Sequence, residues 1–221
     1  MIAYDTAVGG KSASSVTSLT YSYTTTGSDV LLVVNASTSI TGNPNITSVT
    51  FDGVGLTATS DSPQNVASVG RCSYYYLVNA GAKTANIVIS TDATTNIYSA
   101  AASYTGVKQF DTRNFNKDEV GATTFASSIT SVLDNTWAIW CVNSGASNST
   151  AGASTTSRTS DVNGLAIMDS NANKTPAGAV TLNAANASST NWSGLIATFS
   201  SDAAGGGGGT GAGAFLILGI A

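Results

Sequence analysis

Few residues in this chain are of types that catalyse reactions or bind metals. The 221 residues include no histidine, so histidine-based acid–base catalysis, Ser-His-Asp triads and most zinc sites are excluded. Neither a G-x-S-x-G nucleophile elbow nor a calcium loop of the D-x-D-x-D-G type occurs in the sequence. We therefore expect no enzyme activity, no cofactor and no metal site.

A short run near the start has part of the pattern of a phosphate-binding loop. Gly9-Gly10-Lys11-Ser12 matches the end of that pattern, but the position that requires the first glycine is occupied by Asp5. No helical periodicity follows the run, although such a loop needs a helix N-terminus to hold the phosphate. We predict a polar turn at this place and no nucleotide site.

Charged residues cluster in residues 108–119. A glycosidase needs two carboxylates about 5–10 Å apart in a cleft, and the adjacent Asp118 and Glu119 would point to opposite faces of a strand. The stretch also contains cations, so we predict a solvated polar loop that could contact a ligand or partner. Its charged members are Lys108, Asp111, Arg113, Lys117, Asp118 and Glu119.

Aromatic side chains offer a possible sugar-stacking platform. In the run Tyr74–Tyr76, Tyr75 is expected to take the opposite face of its strand from its two neighbours. Trp137 and Trp140 are likewise expected on opposite faces, and Trp192 stands alone. An exposed Tyr75 or Trp192 could stack a glycan, whereas the favoured alternative places these rings in an ordinary sandwich core.

The composition is that of a soluble domain with few charges. Charged residues make up 9% of the chain, against about 25% in a typical soluble domain. With a net charge of −4 and scattered cations, no basic face for nucleic acid is expected. The longest apolar run, residues 214–218, is too short to cross a membrane. Cys72 and Cys141 are predicted as two buried free thiols, with a single disulfide as the alternative.

Strand signals recur at short spacing and set the fold class. Residues 19–23 alternate apolar and polar as in a half-buried strand, and residues 30–34 form a continuous apolar run typical of a central strand. Asp52-Gly53 predicts a type I′ hairpin. We predict an all-β fold, a two-sheet antiparallel sandwich of jelly-roll-like size, with about ten to twelve strands. No internal repeat is expected.

The end of the chain differs from the rest. Residues 1–202 are predicted to form the sandwich domain, residues 203–213 a Gly-rich linker, and residues 214–221 an apolar strand. An exposed apolar strand is an aggregation hazard, so we expect either that a neighbouring subunit buries it by strand addition or that it folds back as a last strand. The residues assigned to assembly are Phe215, Leu216, Ile217, Leu218 and Ile220.

The sequence shows no secretory signal after Met1, although its richness in Ser, Thr, Asn and Gly is typical of extracellular β proteins. A protein made in a host cytoplasm, built into a virion there and released by lysis would combine these features. A mature form cut from a precursor is the alternative.

Several strand motifs, taken in order, resemble one family. They are Ile2-Ala3-Tyr4-Asp5, Leu31–Val34, Val49–Val54, Tyr76-Leu77-Val78, Ser103–Val107 and Trp192–Phe199. Together they are similar to β-sandwich domains of tailed-phage structural proteins and bacterial surface proteins, over roughly residues 2–200. The resemblance implies an adhesive or structural role with no catalytic motif.

We therefore expect a non-enzymatic structural protein of a phage virion, such as a capsid decoration, a head or tail accessory, or a fibre subunit. Its partners would be copies of itself, with a trimer favoured, and other virion proteins, with no nucleic acid or membrane involved. One alternative is a carbohydrate-binding module that recognises a host-surface glycan. The other is a subunit of an extracellular bacterial filament.

Overall fold

The chain is all-β, with two antiparallel sheets packed against each other as a sandwich. The computed structural model describes residues 1–39, 44–59, 64–66, 70–145, 149–159 and 164–202, so the predicted linker 203–213 and strand 214–221 lie outside the described residues. The strands are β1 (Ala3–Thr25), β2 (Leu31–Thr38), β3 (Ile46–Phe51), β4 (Val54–Gly55), β5 (Thr57–Ala58), β6 (Gln64–Val66), β7 (Gly70–Val78), β8 (Lys83–Thr105), β9 (Gln109–Thr130), β10 (Thr136–Ser144), β11 (Thr150–Ala151), β12 (Thr156–Ser157), β13 (Leu165–Asp169) and β14 (Ala179–Ser200).

The first sheet, β1–β8, folds over on itself because two of its strands run through both of its layers. The long strands β1 and β8 pair along their whole length, with Ala3 opposite Thr105 and Thr25 opposite Lys83. One layer has the order β1–β8–β2–β7 and the other β1–β8–β3–β4, which is the order of a jelly roll. Apolar side chains from both layers, such as Leu19 and Val34, fill the space between them.

The second sheet, β9–β14, repeats this arrangement. The long strands β9 and β14 pair as β1 and β8 do, and β10 and β13 follow β14 as β2 and β7 follow β8. The registers agree: Val34 lies opposite Ala101 and Tyr75, whereas Trp140 lies opposite Ile196 and Met168. We call residues 1–107 the first repeat and residues 108–202 the second repeat. The expectation of no internal repeat is wrong.

A third apolar cluster joins the two repeats and is built from equivalent strands. Leu31 and Val33 of β2 belong to it together with Trp137 and Ile139 of β10. At its border the Asn143 Nδ2 donates to Ser37 Oγ at 3.0 Å. Asn143 lies opposite Ser193 and Ser37 opposite Tyr98, so the two residues hold equivalent places and the repeats face each other about an approximate two-fold axis.

The local predictions for the strands are confirmed. Residues 19–23 alternate between buried and exposed, and residues 30–34 are fully buried. Asp52 and Gly53 have φ angles of 53° and 75°, as a type I′ turn requires. The polar segment 143–160 contains the two short strands β11 and β12.

Two predictions of irregular structure are wrong. Residues 109–119 belong to strand β9, because nine of these eleven residues lie opposite β14 residues between Trp192 and Ser200. The run Gly9–Ser12 lies inside β1, where the register shifts between Val8 and Lys11 and Gly10 has a φ of 65°. A long-range partner strand thus overrides the polar composition at both places.

Candidate assembly edges

Strands β1 and β9 form equivalent edges of the two repeats. Each runs for more than twenty residues, 23 in β1 and 22 in β9. Within the described residues, β1 pairs only with β8 and β9 only with β14. Apart from groups that side chains engage, the outer row of backbone N–H and C=O groups on each has no partner strand within the described residues, the geometry that drives edge-to-edge association.

The charged residues predicted to form a loop are spread along the β9 edge, each with its own local contact. Lys108, just before the strand, pairs with Asp29 at 2.6 Å, and Lys117 pairs with Glu119 at 2.8 Å. Asp118 Oδ1 accepts from the backbone N–H groups of Val120 and Gly121. Charged side chains on an edge strand are a common means of preventing unwanted pairing, so their role here fits edge protection better than catalysis.

Asp111 and Arg113, the remaining members of the charged stretch, are also engaged. Asp111 Oδ2 accepts from Val132 N at 3.2 Å and from Thr198 Oγ1 at 2.9 Å. Arg113 is exposed on β9 and lies close enough to Tyr76 to oppose the burial that raises the pKa of that phenol. The structure does not gather the six side chains into one site.

Two amides close the open side of the second repeat, where the two layers meet at β9. Asn114 Nδ2 donates to the backbone C=O of Ser128 at 2.8 Å. Asn116 Nδ2 donates to Ser127 Oγ at 3.1 Å. A side chain thus engages the Ser128 carbonyl of β9, as Tyr23 Oη engages the Thr6 carbonyl of β1 at 2.8 Å.

The aromatic residues considered for glycan stacking are buried, as the favoured alternative of an ordinary sandwich core predicts. Trp192 is only 5% exposed because its ring stacks on Phe125 at 4.7 Å and meets Trp140 edge-on at 5.9 Å. Tyr75 is 8% exposed within the core of the first repeat, and burial raises its pKa. Neither ring presents a face to a sugar. The prediction that Trp137 and Trp140 face opposite sides is confirmed, since they belong to different apolar clusters.

A buried ion pair, which the sequence analysis missed, lies where the repeats meet. Asp169 is fully buried and receives bonds from Arg158 Nε at 2.6 Å and Nη2 at 3.0 Å. The same guanidinium lies 4.3 Å from the ring centroid of Tyr4, which belongs to the first repeat. The signal available in the sequence was a carboxylate ending the otherwise apolar run Leu165–Asp169.

In the first repeat, an aromatic cluster lies at the position equivalent to this ion pair. Tyr76 lies opposite Thr57 as Asp169 lies opposite Thr156, so Tyr76 is the counterpart of Asp169. The Tyr76 ring stacks on Phe110 at 5.2 Å and meets Phe199 at 5.4 Å, both from the second repeat. The two junctions between the repeats therefore use different chemistry: charge with cation–π contact at one and stacked rings at the other.

Shallow concave surfaces lie at equivalent stretches of the two repeats. One, of about 480 Å³, is lined by Thr84, Asn86 and neighbouring residues of β8. Another, of about 410 Å³, is lined by Thr181, Asn183 and neighbouring residues of β14. Both linings mix hydroxyl and amide side chains with apolar ones, and each contains one charged residue, Asp52 in the first and Lys174 in the second.

Both cysteines are buried and unpaired, which confirms the prediction of free thiols. Burial raises the pKa of Cys72 to about 12. Among the described residues there is no group of three His, Cys, Asp or Glu side chains placed to hold a metal ion. No helix in the described part of the chain has the length and apolar character to cross a membrane.

Comparison with known proteins returned no match to a family model, a curated protein or a solved structure.

Proposed function

We propose that this chain is a non-enzymatic structural subunit of a phage virion, a decoration, accessory or fibre component that assembles with copies of itself and with other virion proteins. The observation that carries the proposal is the pair of long edge strands. A long edge strand with one open side, such as β1 with 23 residues or β9 with 22, offers backbone groups for pairing with another chain, and because charged side chains oppose such pairing on β9, β1 is the stronger candidate. The resemblance of the strand motifs to tailed-phage domains points to a virion as the place of assembly.

The low charge of the chain supports close packing of many copies. Only 9% of the residues are charged and the net charge is −4, so identical subunits repel one another weakly. The apolar residues 214–221 would supply the contact that joins neighbouring copies, with backbone pairing giving affinity and alternate side chains giving register.

The test is the solution mass of the full-length chain beside a version that ends at Ser201, measured by light scattering after gel filtration. Full-length protein should be oligomeric and the truncated protein a folded monomer, because the sandwich ends with β14 at Ser200. Two monomers, or a truncated protein that still assembles, would refute assembly through the C-terminal residues.

A second candidate function is binding of a neutral carbohydrate. It is supported by the two equivalent shallow concavities beside β8 and β14, whose linings include hydroxyl and amide side chains. Calorimetric titration of the monomeric truncated protein with neutral oligosaccharides tests it. Saturable heat that is lost on Asn86→Ala would support carbohydrate binding, and its absence across the set would refute it.

A further inference from the structure

The equivalent edge strands β1 and β9 differ in the number of charged side chains that would oppose pairing with another strand. On β9, the stretch from Gln109 to Glu119 carries most of the chain's charged cluster. On β1, the corresponding stretch keeps only Asp5 and Lys11, whereas the second halves of both strands, Ser12–Thr25 and Val120–Thr130, carry no charged residue. An edge that is long and uncharged is the kind that natural proteins avoid unless it has a partner.

At two places on its open side, the first repeat has apolar side chains where the second repeat has polar ones; at a third, Val16 of β1 corresponds to Ala122 of β9, and β9 also exposes Val120. Val8 lies opposite Ala101 as Asn114 lies opposite Ile196, and Ala13 lies opposite Ile97 as Asp118 lies opposite Trp192. We call Val8, Ala13 and Val16 the β1 seam; all three pack against the core of the first repeat but stay partly exposed. In the second repeat, the Asn114 amide and the Asp118 carboxylate hold local hydrogen bonds at the first two places.

The chain contains a segment whose chemistry matches this seam. Residues 214–221 carry no charge and consist mainly of large apolar residues. An added strand would satisfy the open backbone groups of β1 and cover the β1 seam with alternate side chains. A charged strand would instead place its charges beside Val8 and Val16.

The described chain ends next to β9, not β1. Gln109 Nε2 donates to the Asp202 carbonyl at 2.9 Å, and Asn135 Nδ2 donates to the Asp202 carboxylate. Residues 203–213 can extend for at most about 36–40 Å, enough to reach a neighbouring molecule.

We propose that the open edge of β1, with the β1 seam, is the acceptor for residues 214–221 of a neighbouring copy, whereas the β9 edge is kept free of such pairing. This inference rests on the proposed function and names its acceptor surface. Because donor and acceptor are different surfaces of one chain, the contact is head-to-tail and builds rings or filaments.

Matched exchanges on the two edges test the proposal. Ser12 lies within the β1 seam opposite Tyr98 and Lys117 lies opposite Ser193, at equivalent places, and both are exposed. In the full-length chain, Ser12→Lys should weaken self-association at least tenfold, whereas the reverse exchange Lys117→Ser should change it less than twofold. Equal effects of the two substitutions, or a larger effect of Lys117→Ser, would overturn the proposal.

A second variant targets the seam without adding charge. Val8→Asn installs the residue that the second repeat has at this place and should also weaken self-association. Thermal unfolding of the truncated chain carrying each substitution shows whether the fold is kept. If these folded variants associate like the unmodified chain, the seam is not the acceptor.

Cross-linking separates contacts between chains from contacts within one chain. Ser12→Cys protein mixed with Leu216→Cys protein should form a disulfide-linked pair, whereas Lys117→Cys mixed with Leu216→Cys should not; the native thiols are buried. Cross-links within single chains carrying both Ser12→Cys and Leu216→Cys would overturn pairing between copies. If the full-length chain is a monomer, the proposed function itself fails; if it assembles through its end but Ser12→Lys has no effect, only the acceptor assignment fails.

Discussion

Asp5 and Asp111 make the same pair of hydrogen bonds in the two repeats. Asp5 Oδ2 accepts from Thr26 N at 2.9 Å and from Ser103 Oγ at 2.7 Å. Asp111 Oδ2 accepts from Val132 N at 3.2 Å and from Thr198 Oγ1 at 2.9 Å. Each carboxylate lies near the start of a long edge strand. It bonds to a residue just after the end of that strand and to a residue of the partner strand. These bonds close one end of each repeat.

Removing either carboxylate should destabilise the fold. Asp5→Ala should lower the free energy of unfolding by about 1–3 kcal/mol, since hydrogen bonds to a charged group are lost. Asp111→Ala should cost less, because its bond to Val132 N is longer and its Oδ1 has no partner in the described structure. Urea denaturation at neutral pH measures both. Glu119→Ala, which breaks an exposed ion pair, is the control and should have little effect.

Breaking the buried Arg158–Asp169 ion pair should destabilise the fold more strongly. Arg158→Leu leaves Asp169 buried without its cation and should cost about 3–5 kcal/mol. Arg158→Leu combined with Asp169→Leu should recover much of that loss, because no unpaired charge remains in the junction between the repeats. Thermal and urea unfolding of the single and double variants provide the comparison. A double variant no more stable than the single one would contradict this account.

Alkaline pH should destabilise the protein. Burial raises the pKa of Cys72 to about 12, and it also raises the pKa values of Cys141, Tyr74 and Tyr104. The unfolded chain therefore loses protons at lower pH than the folded chain, and stability falls as pH rises above the ordinary thiol pKa of 9.0. The melting temperature, followed from pH 7 to pH 11, should decline from about pH 9 upward. A melting temperature that does not change between pH 7 and pH 11 would contradict burial of these thiols and phenols.

Gly194 should resist substitution because of a close approach. A Cβ at this position would overlap the indole nitrogen of Trp140, which is fully buried. Gly194→Ala should therefore cost about 1–3 kcal/mol through overpacking of the second repeat. Gly55→Ala is the matched control, since a Cβ there meets nothing within 4 Å. Equal unfolding midpoints for the two variants would show that the indole moves without cost.

Part of the repeat could have been found in the sequence. Tyr4-Asp5-Thr6 corresponds to Phe110-Asp111-Thr112, and Ser103-Tyr104-Thr105 to Thr198-Phe199-Ser200. The segment between β2 and β8 is longer than that between β10 and β14, so no single spacing aligns both pairs of motifs. Pairing registers reveal the equivalence because backbone hydrogen bonds preserve position while loop lengths change.

Local sequence alone determined the strand character and the turns. Alternation at residues 19–23, the apolar run at 30–34 and the Asp52-Gly53 turn depend on neighbouring residues and on backbone φ angles, which act over a few positions. Only the tertiary structure decided which strands lie at edges, that residues 109–119 form a strand, and that Tyr75 and Trp192 are covered. Those properties depend on partners far away in the chain, as when Ala3 pairs with Thr105, and a one-dimensional pattern does not identify such partners.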